Sequence, residues 1–310
     1  MSDFIEKIRL HGTFKDAIIN SDDIAYFAPE LASWNKEVHL SGTIKGTIEN
    51  LGGKNLTVKT GNSTVLEGDF VLKGLPEIDK TYIDVKANKL ATTYADALIL
   101  VPALRTVKNP RLDRLSYINF TGNLTGFVKD FVTHGTLQTA LGTISSDVNL
   151  KFPDNKAALY SGKIASTGFN IGALIDNDDF GNIQFNSTVK GNGASDKNLE
   201  VEVNGEVQQF SFKKYNYQNI SIKGLFDNKL FKGQLITRDP HLDVVLTGLI
   251  NLNNKVPEFD FVAAINKANL KSLNLIKDDI DFNGNLHFDF TGNTIDNFLG
   301  TARITDASIF

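Results

Sequence analysis

The chain of 310 residues predicts an all-β protein. The expected architecture is an elongated and mostly antiparallel sheet with one apolar face and a few short helices. Three observations carry that expectation. Apolar residues and glycines fall on every second position through most of the chain, the pattern of strands with one wet and one dry face. The connectors are short, which favours antiparallel neighbours. Helix-like segments are few and brief, too little to cover the dry face of roughly twenty strands.

The alternation is clearest over Ser116–Gly142, SYINFTGNLTGFVKDFVTHGTLQTALG. Ile118, Phe120, Gly122, Leu124 and Gly126 take alternate positions and polar residues fill the gaps. A break at Lys129–Asp130 follows, with a new strand expected from Gly135. Related phrases return at Leu40–Leu51, Ile183–Leu199 and Ile280–Leu299. Units recurring in this way are too thin to bury their own apolar face. The expected organisation is one elongated segment over 1–310, with approximate repeat units 38–115, 116–180, 181–279 and 280–310.

In chain order, Phe4–Lys15 reads as a strand and Ile24–Ser33 as a short helix around Pro29. From Val38 to Leu75 strand follows strand, with Leu40, Ile44 and Ile48 on the first. Gly52–Gly53 and Gly61–Asn62 read as hairpin signals. Thr92–Leu104 carries Tyr94, Leu98 and Val101 at helical spacing until Pro102 interferes. Arg105–Arg114 is a basic connector. Phe169–Ile175 and Ala268–Ile276 read as further short helices. Leu199–Val207 and Phe210–Phe212 read as separate strands, Asp227–Asn228 and Asp239–Pro240 as turns. Leu242, Val244, Leu246, Gly248 and Ile250 alternate without a fault. Glycines recur on the apolar side, where a missing side chain permits curvature or close approach.

Composition narrows the function classes. Hydrophobic residues make up 41% and charged residues 22%, enough for a substantial core. A net charge of −4 with scattered Lys and Arg argues against a nucleic-acid partner, which needs a concentrated basic face. The chain has no cysteine, so disulfides, thiolate catalysis and Cys-based zinc sites are excluded. The 22 Phe against 7 Tyr and 1 Trp suit an interior without polar handles better than the rims of a membrane barrel. No apolar run approaches the roughly 20 residues that span a bilayer. Both termini read as if cut inside a pattern, so a fragment of a longer chain is expected, with any anchor outside it.

Catalytic chemistry finds no foothold. His11, His39, His134, His241 and His287 show no metal-ligand spacing, and His39 and His287 are expected on the wet face. Asp176–Gly181 imitates the start of a calcium loop, but Phe180 stands where an oxygen ligand is expected and Ser187 where a bidentate Glu is. Gly191–Gly193 reads as a turn, and adjacent acids such as Asp22–Asp23 and Asp278–Asp279 diverge on an extended chain. The expectation is no enzyme, no cofactor and no metal.

What remains is the dry face. A second sheet, barrel closure or curling into a trough could each cover it. At about 4.8 Å per strand, an open sheet of this length would run on the order of 100 Å, more apolar area than soluble monomers expose. A trough would leave an apolar channel, in which each buried acyl methylene gains about 0.8 kcal/mol. Alternation places Leu40, Ile44, Ile48, Phe70, Phe120, Leu124, Val148, Phe185, Val189, Val201, Ile222, Val244, Leu246, Phe261, Phe282, Leu286 and Phe288 along that stripe. A sealed sandwich or solenoid core would use the same residues.

Several phrases in series carry a resemblance: IAYFAPEL (Ile24–Leu31), VHLSGTIKGTIENL (Val38–Leu51), EGDFVLKGLPEID (Glu67–Asp79), YNYQNISIKGLFDNKLFKGQL (Tyr215–Leu235), DPHLDVVLTGLINL (Asp239–Leu252) and ANLKSLNL (Ala268–Leu275), together with Ile118–Pro153. They resemble the AsmA-like superfamily and, within it, the TamB family of inner-membrane translocation and assembly components. The resemblance implies an elongated, curved sheet forming a hydrophobic groove (a β-taco) in the periplasm, held to the inner membrane by an anchor not present in this segment. It implies phospholipid acyl chains as cargo in outer-membrane biogenesis and an Omp85-type outer-membrane partner. Assistance of outer-membrane protein assembly is the alternative within the family. Outside it, the alternative is an adhesin-like interaction module with a sealed core.

Overall fold

The computed structural model describes residues 2–24, 36–193, 198–252, 256–292 and 299–309. They form two compact units, Met1–Lys156 and Ala157–Phe310. The first holds β1 (Leu10–Asn20), β2 (Glu37–Gly46), β3 (Asn50–Thr60), β4 (Thr64–Lys73), β5 (Tyr82–Thr93), β6 (Tyr117–Phe127), β7 (Asp130–Thr139) and β8 (Gly142–Lys151). The second holds β9 (Leu159–Asn170), β10 (Phe180–Asn192), β11 (Glu200–Phe212), β12 (Tyr215–Asp227), β13 (Leu230–Asp239), β14 (Leu242–Asn251), β15 (Glu258–Asn269), β16 (Asp281–Thr291) and β17 (Leu299–Ile309). The fold is all-β with antiparallel strands and a few short helices. In each unit every strand pairs with its sequence neighbour. Among the described residues neither meander closes into a barrel, because its last strand does not return to its first.

Cross-strand partners share a face, so the register traces continuous rows. In the first unit one row runs Ala17, Leu40, Val58, Leu66, Leu90, Phe120, Leu137, Ile144. In the second, Ile164, Ser187, Gly205, Ile222, Leu235, Leu246, Ala263, Leu286 and Ile304 form one row across nine strands.

Glycines on these faces are spaces for neighbouring rings. Gly122 and Gly135 pair across β6 and β7. A Cβ on Gly122 would lie 2.3 Å from the His134 carbonyl oxygen, and one on Gly135 would lie 2.6 Å from the Phe120 ring. Phe120 therefore lies over the glycine pair, and its ring restores apolar cover where two side chains are missing.

The short helices are α1 (Ser2–Lys7), α2 (Ser21–Ile24), α3 (Tyr94–Leu100) and α4 (Ile171–Ile175). α3 and α4 match the expected segments. Thr93 Oγ1 accepts from Asp96 N to cap α3, and Asn170 Oδ1 accepts from Ala173 N to cap α4. The helix expected over 24–33 falls mostly outside the described residues.

Other expectations are corrected. The chain opens on α1 before β1, where a strand from Phe4 was expected. Gly52–Gly53 lies inside β3; the hairpin turn is at 47–49 instead, so Ile48 sits in a turn and not on a strand. β7 starts at Asp130, five residues before Gly135. Segment 268–276 is the end of β15 and a single turn, not a helix. Asn269 Oδ1 accepts from Ser272 N, but Asn274 adopts φ 57°, and a left-handed residue stops the helix there.

Candidate functional site

The first unit carries a cavity of about 440 Å³ against the dry face of β1 to β5. Ile19 on β1, Leu40 and Ile44 on β2, Leu56 and Val58 on β3, Leu66, Phe70 and Leu72 on β4 and Val85 on β5 all line it. In a flat sheet β1 and β5 would stand about 19 Å apart, four strand spacings. Contact of both with one cavity requires the face to curl. The two charged residues at its border, Asp69 and Lys86, oppose each other in the ladder. The Asp69 carboxylate is occupied: Lys54 Nζ donates to it at 2.9 Å and Asn55 N at 2.8 Å. Those bonds, the lysine's first, hold its pKa below the ordinary carboxylate value.

Sixteen of the seventeen stripe residues face the dry side of their unit, as the registers show. Ile44, Phe70 and Leu124 share one row with Val85 and Val148. Val189, Phe261 and Phe288 share another with the glycines Gly224, Gly233 and Gly248. Phe185 and Val244 belong to the row through Val207, Ile220 and Thr237. Val201 joins the row through Phe226 and Phe231, and Phe282 opposes Ala268. Ile48, the seventeenth, packs from its turn. Only Leu40, Ile48, Val148 and Val244 are buried. The other stripe residues are half-buried and none is exposed, as in a face shielded laterally and, among the described residues, not covered.

Sequence reasoning left Phe226, Phe231, Phe259 and Phe290 out of this face. Phe226 meets Phe231 with tilted rings and Phe259 stacks on Phe290, each at 4.8 Å between centroids, and Phe261 meets Phe288 at 5.2 Å. The alternation that selects Phe261 and Phe288 also selects Phe259 and Phe290; only the register shows them as one cluster. Sequence reasoning also expected a single apolar face. In the second unit the opposite face carries Ile236, Val245, Leu249 and Val262 on β13 to β15, with Val262 half exposed.

Each unit ties its turns with a buried aspartate. Asp96 on α3 accepts from Ser63 N at 2.7 Å, Asn62 N at 3.1 Å, Ser63 Oγ at 3.0 Å and Thr64 Oγ1 at 3.2 Å. Burial raises its pKa, but these hydrogen bonds outweigh burial and leave it lowered. Asp239, at the end of β13, accepts from the Tyr215 hydroxyl, from Gln218 N at 2.9 Å and from His241 N at 2.8 Å. Burial first, and the Asp239 carboxylate second, raise the Tyr215 pKa. All acceptor sites here serve turns and hairpins, which makes both clusters structural. His39 and His287 sit on the polar side, near Asp16 and Asp260.

No protein-family model, curated protein or solved structure matches the chain.

Proposed function

We propose that the troughs carry phospholipid acyl chains, as one segment of a TamB-like bridge between inner and outer membranes. The observation that carries this reading is the curled, predominantly apolar cavity of about 440 Å³, on a face that no second layer covers among the described residues. That volume is within the roughly 300–1,000 Å³ of small-molecule sites, and the wall offers an alkyl chain apolar contact, with its two charged residues, Asp69 and Lys86, at the border. Ten buried methylenes would contribute about 8 kcal/mol. Transfer is passive along the rows. The resemblance supplies the setting: the periplasm, an anchor in the inner membrane, and an Omp85-type partner.

The sealed interaction module is less well supported, because a sealed core would bury its stripe and here most of the stripe is half-buried. Native mass spectrometry of the purified chain tests the reading. Phospholipid should accompany the folded protein and be exchanged for added lipid. Repeatedly lipid-free protein of native fold, with no uptake from vesicles, would remove the trough as a carrier.

A further inference from the structure

The second unit is not buried evenly along its strands. On β13, β14 and β15 the dry-face positions toward one end are buried: Thr237, Asp239, Val244 and Ala268. Toward the other end the same strands carry Phe231, Ile250, Phe259 and Phe261, all half-buried. The ladders run the length of these strands, so the extra cover comes from the connections at the buried end.

The connection between β15 and β16 supplies it. Residues 270–280 form an Ω-shaped loop whose ends meet: Leu270 N donates to Ile280 O at 3.0 Å, and Lys271 pairs with Asp279 at 3.5 Å. Asn269 Nδ2 closes the base, donating to Asp279 Oδ1 at 3.2 Å and Asp281 Oδ1 at 3.0 Å. Residues 274–279 are exposed, yet Leu273 beside them is 0% exposed. Asn274 donates its side-chain amide to Lys213 O, in the turn between β11 and β12, at 3.1 Å. β12 and β15 stand three strand spacings apart, about 14 Å in a flat sheet. A loop that leaves β15 and reaches that turn lies across the ends of β13 and β14.

This loop is bound to itself more firmly than to the sheet. Among the described residues, the bond to Lys213 is the hydrogen bond that ties it to strands other than its own two. One buried leucine and one amide hold it down, whereas backbone, amide and ion-pair contacts close its base. Such a segment opens as a unit without unfolding the sheet beneath it.

We propose that loop 270–280 is a lid over the rows of Thr237 and Ala268 in the second trough, latched by Leu273 and Asn274. The proposal rests on the reading of the trough as an acyl-chain carrier. Closed, the lid confines an acyl chain to the phenylalanine rows around Phe261 and Phe288. Open, it admits the chain to Val244.

The chain has no cysteine, so thiol labelling can follow the lid in lipid-free protein. Val244→Cys reports the lid, and Ser187→Cys, buried on β10 two strands beyond β12, reports unfolding of the unit. Asn274→Gly keeps the left-handed backbone at φ 57° accessible and removes the latch. It should speed maleimide labelling of Val244→Cys about three- to tenfold, the effect of one hydrogen bond, and leave Ser187→Cys unchanged. Leu273→Ala should speed it further. Rates that change together at both positions, or that respond to neither loop variant, would overturn the lid. Lipid is then offered to the full chain as phosphatidylglycerol vesicles. A photo-crosslinker at Val244 should capture more lipid in Asn274→Gly, and one at Phe288 the same amount. Capture at Phe288 with no dependence on the loop at Val244 would overturn the lid alone. No capture at either position would remove the carrier reading, and the lid's role with it.

Discussion

A carboxylate removed from water is stable only if its lone pairs are filled, and Asp96 shows how much one residue can hold. It is 1% exposed, and its oxygens accept from backbone and hydroxyl donors of the turn at 62–64. Replacing it with Ala leaves Ser63 N and Asn62 N buried without partners, at a cost of about 2–4 kcal/mol. Urea unfolding of Asp96→Ala should read that loss directly. The pH dependence follows from the lowered pKa. A group whose folded pKa lies below its unfolded value stabilises the fold above the unfolded value, and that contribution disappears as pH falls through the folded one. The wild type should therefore lose stability below about pH 4 more steeply than Asp96→Asn, which has nothing to protonate. Parallel slopes would mean that the carboxylate charge is not what the turn uses. At Gly122 the constraint is steric. A methyl there would meet the backbone of His134 and Gly135, atoms that cannot swing aside, so Gly122→Ala should cost about 1–3 kcal/mol despite being a small change.

Strands were legible wherever the period of two ran unbroken, as in β6, β13 and β14. They were misread where it broke. Phe210–Phe212 belongs to β11 with Leu199–Val207 upstream, because the ladder with β10 shifts register between Gln184 and Phe185; a bulge looks like a strand end in a sequence pattern. α1 was missed since Ile5 and Ile8 suit a strand or a helix equally over so short a span. Ile48 was placed on β2 because alternation continues past Gly46, although the chain has already turned. The faces survive these errors, since a bulge inserts a residue and then restores the pattern. That restoration gives an element-scale prediction: photo-crosslinkers at Val244 and Phe288 should capture lipid, while those at Asp243 and His287, one residue away and on the other face, should not. Equal capture at all four would mean that the rows are not the lipid path.

Across both units, the distribution of burial separates an open trough from a core. Among the described residues the buried apolar set includes Ala87, Ala263 and Ala268 alongside Val and Leu, but none of the stripe phenylalanines. No alternation pattern could have shown this, because period two marks a dry face without saying what lies over it. The consequence is testable at Leu246, which stands mid-row between Leu235 and Ala263 and is half-buried. In a sealed core, Leu246→Asp would bury an unpaired charge and cost upwards of about 4 kcal/mol. In an open trough the carboxylate keeps part of its hydration, and the loss is mainly that of half a leucine's burial, about 1–2 kcal/mol. The variant should therefore fold, with a melting temperature only modestly reduced. Its lipid load should nonetheless fall sharply, because a fixed anion now stands mid-row between the apolar Leu235 and Ala263. Collapse of the second unit on this one change would show instead that its dry face is a closed interior.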